Sequence, residues 1–421
     1  HGARPRCRYH PWPRRRCRLQ HRGGAMVDDG ERQHFASILR AYDSYLPWAL
    51  KRIARLERDL SHLSERHRQL LHTDEKLAGM RLAAQQNAQV LKLVVDPHRQ
   101  SADPRDDMRT QVMVEEGGRK TFKPASSEGY VSESDMEKLQ STLKQFVREW
   151  GSEGAKEREQ SHGPMLQALQ ELCPAATSCR ATGAAAGPAR VLVPGAGLGR
   201  LAWEAARCGY RSQGSEFSYF MLIASNFLLN RLQHHGQVHV HPWVLQTVNQ
   251  ASREQQLRSV AVPDVAPWSL PAEAQLSMCA GDFLEVYRDQ TGCWEAILTE
   301  FFIDTAHNLT HYLTRIAELL VPGGVWINLG PLLWHYSDNP REISVDLTWD
   351  EVRPLLLDWG FVLEKEEWRR CTYTRNAASL YQMEYQCIFF VARWPGGQPT
   401  PGEAPAPPPP PPEAPPPPPA S

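Results

Sequence analysis

The residues with the clearest capacity for chemistry lie in the segment 190–199, Arg-Val-Leu-Val-Pro-Gly-Ala-Gly-Leu-Gly. Its apolar start predicts a buried strand, and Gly195, Gly197 and Gly199 predict a tight turn before a helix. This arrangement presents backbone N–H groups and a helix N-terminus to a ligand, and glycine lets the ligand approach the backbone closely. The motif alone is weakly specific, because a dinucleotide fingerprint has a glycine where this chain has Arg200.

Two acids that follow predicted strands narrow the choice of ligand. Glu216 stands just past the predicted strand 210–215, 17 residues beyond Gly199, where a carboxylate accepts hydrogen bonds from both hydroxyls of a ribose. That interaction suits NAD and S-adenosylmethionine equally. Asp282 and Phe283 lie in a predicted turn, where an acid and an aromatic ring can hold the edge and the face of an adenine.

The pattern after residue 295 decides between these two ligands. An apolar run at 296–298 predicts another buried strand, and a helical pattern over 312–320 stops at Pro322-Gly323-Gly324 before a further strand. A helix that ends in Pro-Gly-Gly and feeds a strand is typical of class I methyltransferases. With the glycine turn and the two acids before it, this order predicts S-adenosylmethionine rather than NAD.

Composition agrees with a large α/β enzyme. The chain has 421 residues, of which 41% are apolar, and a net charge of −1, so we expect no general attraction to nucleic acid or membrane. No apolar run approaches the roughly 20 residues that span a bilayer. Nine scattered cysteines without a Cys-x-x-Cys pair predict reduced thiols in the cytoplasm or nucleus. The spacing of Cys173 and Cys179 is poor for zinc, and we expect no metal.

The two ends are predicted to be dispensable extensions. Residues 1–25 contain eight arginines and no acid, which indicates either a nucleic-acid or nuclear-import patch or a disordered extension translated upstream of Met26. We favour the disordered extension. Residues 395–421 are mostly proline and predict a disordered polyproline tail, with a spacer favoured over a ligand for proline-binding domains.

Between the ends, the pattern predicts helices and then a linker. Apolar positions at helical spacing predict a helical region over 26–95, whose charged faces are either solvated or part of a dimer contact. Residues 96–130, rich in Asp, Pro, Gly and Lys, predict a flexible linker. Ser134 and Glu137 predict a capping box that opens a helix through Trp150.

That helix opens the segment 131–394, which we predict to be a methyltransferase domain. Gln145 and Arg148 lie on one side of the helix, either as a solvated polar face or as part of a lid that meets the carboxylate of the cofactor. Strands alternate with helices to the end of the segment, where 387–393 predicts an antiparallel last strand. The predicted fold is α/β: a Rossmann-like, mostly parallel class I methyltransferase sheet preceded by an N-terminal helical region.

Four segments of the chain are distinctive: Val-Pro-Gly-Ala-Gly-Leu-Gly-Arg-Leu-Ala-Trp-Glu (193–204), Glu-Phe-Ser-Tyr-Phe-Met-Leu (216–222), Phe-Phe-Ile-Asp-Thr-Ala-His-Asn (301–308) and Trp-Ile-Asn-Leu-Gly-Pro-Leu-Leu-Trp-His (326–335). Through them the sequence resembles the carnosine N-methyltransferase family, from Glu31 to Trp394. The resemblance implies a class I methyltransferase domain, a homodimer, and methylation of the imidazole of β-alanyl-histidine to give anserine.

Position by position, the resemblance implies two groups of site residues and two departures from the family. The family has Cys where this chain has Glu300, whose carboxylate could attract a sulfonium or compete with substrate, and Met383 stands where a tyrosine is expected. The substrate group is Asp304, His335, Tyr373 and Tyr385, with Asp304 and His335 also catalytic. The cofactor group is Gln145, Arg148, Gly195, Gly197, Glu216, Asp282, Phe283, Glu300 and Tyr312.

The chemistry of Asp304 follows from its type and its place after a strand. A carboxylate that accepts the N–H of a neutral imidazole selects the tautomer and leaves the other nitrogen free to attack a methyl group. The structural alternative is an ordinary helix N-cap. For His335 the alternative is a structural histidine, for Tyr385 a core position on the last strand, and for His307 and His311 a metal pair.

Three functions therefore stay open at this stage. The first is a small-molecule methyltransferase for carnosine in the cytoplasm and nucleus. The second is the same chemistry on histidine within a peptide or protein, which needs an open groove. The third is a catalytically silent cofactor-binding scaffold. The intact glycine turn, with Glu216 and Asp304, argues against the scaffold.

Overall fold

The structure, a computed structural model, describes residues 19–20, 29–99, 111–116, 119–124, 131–175 and 187–396. The proline-rich tail from residue 397 onward and the arginine-rich extension apart from its residues 19–20 lie outside the described part of the chain. Two short antiparallel ladders, β2–β3 and β6–β7, lie apart from one large sheet. The strands are β1 (Leu19–Gln20), β2 (Gln111–Glu116), β3 (Arg119–Pro124), β4 (Arg190–Pro194), β5 (Arg211–Glu216), β6 (Val238–Val240), β7 (Val260–Val262), β8 (Gln275–Ala280), β9 (Trp294–Glu300), β10 (Leu320–Gly330), β11 (Val362–Cys371) and β12 (Tyr385–Trp394).

The large sheet has the strand order β1-β8-β5-β4-β9-β10-β12-β11. Every pairing from β1 to β10 is parallel, whereas β12 runs antiparallel to both β10 and β11. This arrangement confirms the predicted mostly parallel sheet with an antiparallel last strand. The Pro322-Gly323-Gly324 segment interrupts the pairing of β10 with β9, because the register shifts between Leu320 and Val325.

Helices cover both faces of this sheet. They are α1 (Asp29–Asp43), α2 (Tyr45–Leu60), α3 (Glu65–Leu70), α4 (Thr73–Arg99), α5 (Glu133–Trp150), α6 (Ala155–Leu172), α7 (Arg200–Arg207), α8 (Tyr219–Arg231), α9 (Arg253–Leu257), α10 (Phe283–Val286), α11 (Leu309–Leu319) and α12 (Trp349–Asp358). Among the described residues, no helix is both long enough and apolar enough to span a bilayer.

Alternation along the central strands divides the interior into two cores. Val191 and Val193 of β4 lie in the core under α4–α8, whereas Leu192 between them lies in the core under α10–α12. Successive side chains of a strand point to opposite faces, so a strand covered on both faces reads as a continuous apolar run. This is why the run Val191-Leu192-Val193 is buried throughout.

The N-terminal helices α1, α2 and α4 share the first of these cores. The Tyr42 hydroxyl donates to the Phe220 carbonyl (2.8 Å). The fully buried Asn87 donates to the His241 carbonyl (2.9 Å) and accepts from the His241 N–H (2.7 Å). The helical region is therefore joined to the sheet domain by buried polar contacts as well as by apolar packing.

Two local features differ from the sequence patterns. The segment expected to be a linker, 96–130, includes the last turn of α4 and the strands β2 and β3. The helix expected to open at Ser134 is capped two residues earlier, by Ser132, whose hydroxyl accepts from the Asp135 N–H (3.1 Å). Both Ser132 and Ser134 are good N-cap residues, and backbone geometry selects the earlier one.

The C-terminal half of α5 is buried. All six residues from Gln145 to Trp150 are buried, so this half of the helix lies in the core of the domain. The Trp150 indole packs edge-on against Trp203 of α7, at 5.7 Å between ring centroids. Gln145 and Arg148 therefore do not form a solvated polar face.

Candidate active site

The carboxyl ends of β4, β5, β8 and β9 meet along one edge of the sheet, and β10 continues into the adjoining loop. In open α/β sheets, ligands bind at this edge. It carries the residues that the sequence singled out: the glycine turn after β4, Glu216 at the end of β5, Asp282 after β8, and Glu300 to Asp304 after β9.

The glycine turn has the backbone conformation that its residue types predict. Gly195, Gly197 and Gly199 have φ values of +65°, +55° and +86°, which L side chains rarely adopt. A Cβ on Gly195 would lie 2.5 Å from the Phe302 ring, and one on Gly197 would lie 2.5 Å from Glu149 Oε1. Gly195 and Gly197 are therefore required by packing against these side chains, in addition to any close approach of a ligand.

Glu216 faces this turn from the end of β5. Its Oε2 accepts from the Gly197 N–H (2.9 Å), and its Oε1 accepts from the N–H groups of Phe217 (2.9 Å) and Ser218 (2.8 Å). Burial raises the pKa of this carboxyl, which these hydrogen bonds oppose. Oε2 retains a free lone pair, so the carboxylate can still accept a ligand hydroxyl.

Asp282 and Phe283 both have structural roles at the site edge. Asp282 caps α10, since its Oδ1 accepts from the N–H groups of Leu284 (2.8 Å) and Glu285 (3.2 Å). Phe283 packs edge-on against Phe302 and Tyr312, with ring centroids 5.6 and 5.4 Å apart. Capping by Oδ1 leaves Oδ2 available for a ligand.

Arg148 is held by two buried acids. One of its terminal nitrogens donates to Glu300 Oε1, and its Nε lies 3.6 Å from Glu157 Oε2. Its guanidinium also lies over the ring of Tyr373, 4.6 Å from the centroid. Gln145 Nε2 donates to the Tyr373 hydroxyl (2.6 Å), so the two buried α5 residues both contact the partly exposed Tyr373.

Glu300 is engaged on both oxygens. Besides Arg148, it pairs with His162 Nε2 through Oε2 at 3.0 Å. Together these partners hold the pKa of the Glu300 carboxyl well below its usual range, although burial acts in the opposite direction. The carboxylate is therefore already neutralised by protein groups, which limits its capacity to attract a sulfonium or compete with substrate.

Asp304 is the least satisfied acid of the site. Its side chain is 2% exposed, and Oδ2 accepts from the Leu333 N–H (3.0 Å). Oδ1 is buried and accepts no hydrogen bond from any residue in the described ranges. Burial raises the pKa of Asp304 to about 7. The helix that follows is capped by Asn308 instead, whose Oδ1 accepts from the Thr310 N–H, so the N-cap interpretation of Asp304 was wrong.

His335 and Tyr385 lie near this carboxylate. The His335 N–H donates to the Asp304 carbonyl (3.0 Å), and its partly exposed ring lines a surface cavity of about 550 Å³. Partial burial lowers the pKa of His335. Tyr385 is the first residue of β12 and packs against Phe301, and both burial and the Asp304 charge raise the pKa of its hydroxyl.

Tyr312 of α11 and the pair His307 and His311 have separate surroundings. The Tyr312 ring stacks on Phe302 at 4.9 Å, and its hydroxyl lies 3.2 Å from Thr305 Oγ1. His307 stacks on Tyr336 and pairs with Glu342 at 3.2 Å, rather than with His311. Within the described ranges, no group of three or more His, Cys, Asp or Glu side chains is arranged to hold a metal ion.

Comparison with known proteins assigns the chain to a family. A family model described as carnosine N-methyltransferase matches residues 125–396. The carnosine N-methyltransferase of Mus musculus is 38% identical over 376 residues, which cover 87% of each chain. That of Dictyostelium discoideum is 35% identical, covering 86% of this chain and 76% of its own. The chain belongs to the carnosine N-methyltransferase family.

Sequence reasoning missed three residues of the candidate site. Glu149 contacts the glycine turn, and His162 pairs with Glu300. Phe301 has a φ of +49°, a strained value for a bulky residue, and its ring lies 4.7 Å from that of Tyr373. The one available signal was the position of Glu149 next to Arg148. It points to no role by itself, because acids in an amphipathic helix ordinarily face solvent.

Proposed function

We propose that this chain is an S-adenosylmethionine-dependent N-methyltransferase that methylates the imidazole of carnosine to give anserine. The observation that carries the proposal is Asp304, a buried carboxylate after a central strand with Oδ1 unpartnered among the described residues. A buried acceptor without a partner is costly, and a ligand N–H would remove that cost. The names of the family relatives support carnosine as the source of this N–H.

The residues at the sheet edge fit S-adenosylmethionine, which when bound supplies a methyl group already activated by the sulfonium charge, so that no metal is invoked. The free lone pair of Glu216 Oε2 suits a ribose hydroxyl. Asp282 and Phe283 would hold the adenine, with Tyr312 packed behind Phe283. Gln145 and Arg148 would receive the methionine portion, beside Glu300 and the glycines at 195 and 197.

Asp304 would orient the substrate imidazole. By accepting the N–H of the neutral ring, its carboxylate selects one tautomer and leaves the lone pair on the other nitrogen. Methylation makes the ring cationic, so the attraction to Asp304 increases along the reaction and favours the transition state over the ground state. Alignment of this kind can supply about 7–11 kcal/mol of a bimolecular barrier.

We assign the remaining substrate contacts to His335, Tyr373 and Tyr385. The His335 N–H donates to the Asp304 carbonyl, and the His335 ring lines the cavity. This position suits a contact with the dipeptide. Tyr385 places a phenol near the Asp304 carboxylate. The two tyrosines also both pack against the Phe301 ring, so they would form an aromatic wall.

The setting of the enzyme is part of the proposal. Cys173, Cys208, Cys371 and Cys387 are free thiols, which fits the reducing cytoplasm and nucleus. We also propose a homodimer, as the family resemblance implies. A substrate histidine within a peptide or protein is the second candidate, since the cavity beside His335 is open to the surface.

The test is to incubate the purified chain with S-adenosylmethionine and carnosine and to identify the product by mass spectrometry and NMR. Anserine is expected, and Asp304→Asn should lower kcat/KM by about 10²–10³-fold. Cofactor binding without product from carnosine would overturn the substrate assignment, and histidine peptides would then be assayed. Failure to bind the cofactor would favour a silent scaffold.

A further inference from the structure

Glu149 contacts the glycine turn through two buried hydrogen bonds. It lies on α5, its side chain is 4% exposed, and its two oxygens each accept one backbone N–H. Oε1 accepts from Leu198 (2.9 Å) and Oε2 from Arg200 (3.1 Å). Its carbonyl also accepts from Arg200 Nη1 (3.0 Å).

These contacts complete the hydrogen bonding of the N–H groups at residues 196–200. The first N–H groups of a helix have no intrahelical acceptor, so the entrance to α7 needs one from elsewhere. The five N–H groups of 196–200 all have acceptors: besides the two held by Glu149, Ala196 donates to the Ser215 carbonyl (2.9 Å), Gly197 to Glu216 Oε2 (2.9 Å) and Gly199 to the Ala196 carbonyl (2.8 Å).

The two acids therefore divide the turn between them. Glu216 holds Gly197 on the face where a ribose is expected, whereas Glu149 holds Leu198 and Arg200 from the core. A ligand hydroxyl that binds the free lone pair of Glu216 Oε2 leaves the Gly197 contact in place. It does not involve the buried contacts of Glu149 with Leu198 and Arg200.

We propose that Glu149 is a positioning residue for S-adenosylmethionine, which holds the glycine turn in the conformation that receives the cofactor. This inference rests on the proposed function, because it concerns the same cofactor. It assigns to α5 a second task besides carrying Gln145 and Arg148, namely to set the shape of the turn.

The variant Glu149→Gln tests the inference, since a glutamine has one acceptor oxygen and presents its NH₂ to the other N–H. The matched control is Glu295→Gln. Glu295 is also a buried acid that accepts a backbone N–H, from Arg190 (2.7 Å), but that strand residue lies at the start of β4, at the opposite edge of the sheet. All titrations are run at pH 8.5, above the pKa of about 7 to which burial raises Glu149.

The affinity for S-adenosylmethionine, measured by calorimetry, is expected to fall at least tenfold in Glu149→Gln, while the KM for carnosine changes less than twofold. Hydrogen exchange of the peptide containing 195–203 should accelerate in the same variant. Glu295→Gln should leave both readouts as in the parent, whatever it costs in stability. A general loss of stability would not separate the cofactor from the substrate in this way.

A folded Glu149→Gln protein with parental cofactor affinity would overturn the inference while leaving the proposed function intact. If that variant does not fold, Glu149→Asp is used, which keeps the charge and withdraws the carboxylate by one methylene. Weaker cofactor binding by that protein supports the inference, and unchanged binding overturns it. A parent chain that does not bind the cofactor would instead contradict the proposed function.

Discussion

At the scale of single residues, the raised pKa of Asp304 leads to a pH prediction. Above about pH 7 the carboxylate is ionised and accepts the imidazole N–H, whereas below it the proton blocks that role. We expect kcat/KM for carnosine to rise with pH through about 7. The substrate imidazole, with an ordinary pKa of about 6.5, must also be neutral, so two ionisations shape the parent profile.

Asp304→Asn separates these two ionisations. Its residual activity should follow the substrate ionisation alone, with a shallower acid limb than that of the parent. The measurement is a pair of pH–rate profiles at subsaturating carnosine and saturating S-adenosylmethionine. Superimposable profiles would mean that the ionisation of Asp304 does not control kcat/KM.

Glu300 leads to a stability prediction. Glu300→Gln leaves Arg148 and His162 buried beside a neutral amide, and loss of one partner of a buried pair costs about 3 kcal/mol. Because the pKa of Glu300 is depressed on folding, the stabilisation is present above the ordinary pKa of about 4.5 and is lost as pH falls below it.

Urea unfolding at pH 7 and at pH 4 measures this difference. The control is Glu342→Gln, which removes a half-exposed ion pair with His307 and should change the free energy of unfolding by less than about 1 kcal/mol. Equal effects of the two variants at pH 7 would mean that the buried pair contributes no more than a surface one.

At the scale of elements, the strand–turn–helix unit β4–α7 can be tested with two glycines of similar conformation. Gly197 and Gly292 have φ values of +55° and +58°, but a Cβ would meet Glu149 Oε1 at 2.5 Å only in the first. Gly292→Ala is expected to cost about 1 kcal/mol, from the backbone conformation alone. Gly197→Ala should cost more and should also weaken S-adenosylmethionine binding.

Urea unfolding and calorimetric titration distinguish the two substitutions. If Gly197→Ala and Gly292→Ala lost equal stability and both bound the cofactor as the parent does, contact with Glu149 would not constrain the turn. The comparison separates the effect of packing from that of backbone conformation, since Gly197 and Gly292 have similar φ values.

At the scale of the whole molecule, the N-terminal helices and the sheet domain share one core, so we expect them to unfold together. Asn87 joins them through the Tyr45 hydroxyl and both backbone groups of His241. Asn87→Ala leaves these buried groups unpaired and should cost about 2 kcal/mol.

Far-UV circular dichroism and tryptophan fluorescence, followed in one urea titration, check this expectation. Within each protein the two signals should give the same midpoint, and the midpoint of Asn87→Ala should lie below that of the parent. Gln89→Ala, an exposed change on the same helix, should leave the midpoint unchanged. Separate transitions would mean that the helical region is an independent unit.

The sequence by itself determined the features that depend on short-range patterns. Continuous apolar runs predicted β4 and β9, and Gly195 to Gly199 predicted the turn. Pro322-Gly323-Gly324 predicted the break before Val325, where regular pairing of β10 with β9 resumes. The order of these elements also predicted the mostly parallel sheet, and with it the sheet edge that carries both Glu216 and Asp304. Parallel topology places successive strand ends together whatever the distance between them along the chain.

Only the tertiary structure decided how the charged groups pair. Glu300 meets Arg148 from 152 residues away, and Glu149 points into the core toward a turn some 50 residues further on. An acid on a helix has the same local pattern whether it faces solvent or a buried N–H, because its partner belongs to another element. The roles of Glu149, His162 and Glu300 therefore became visible only when α5 and α6 were packed against the sheet.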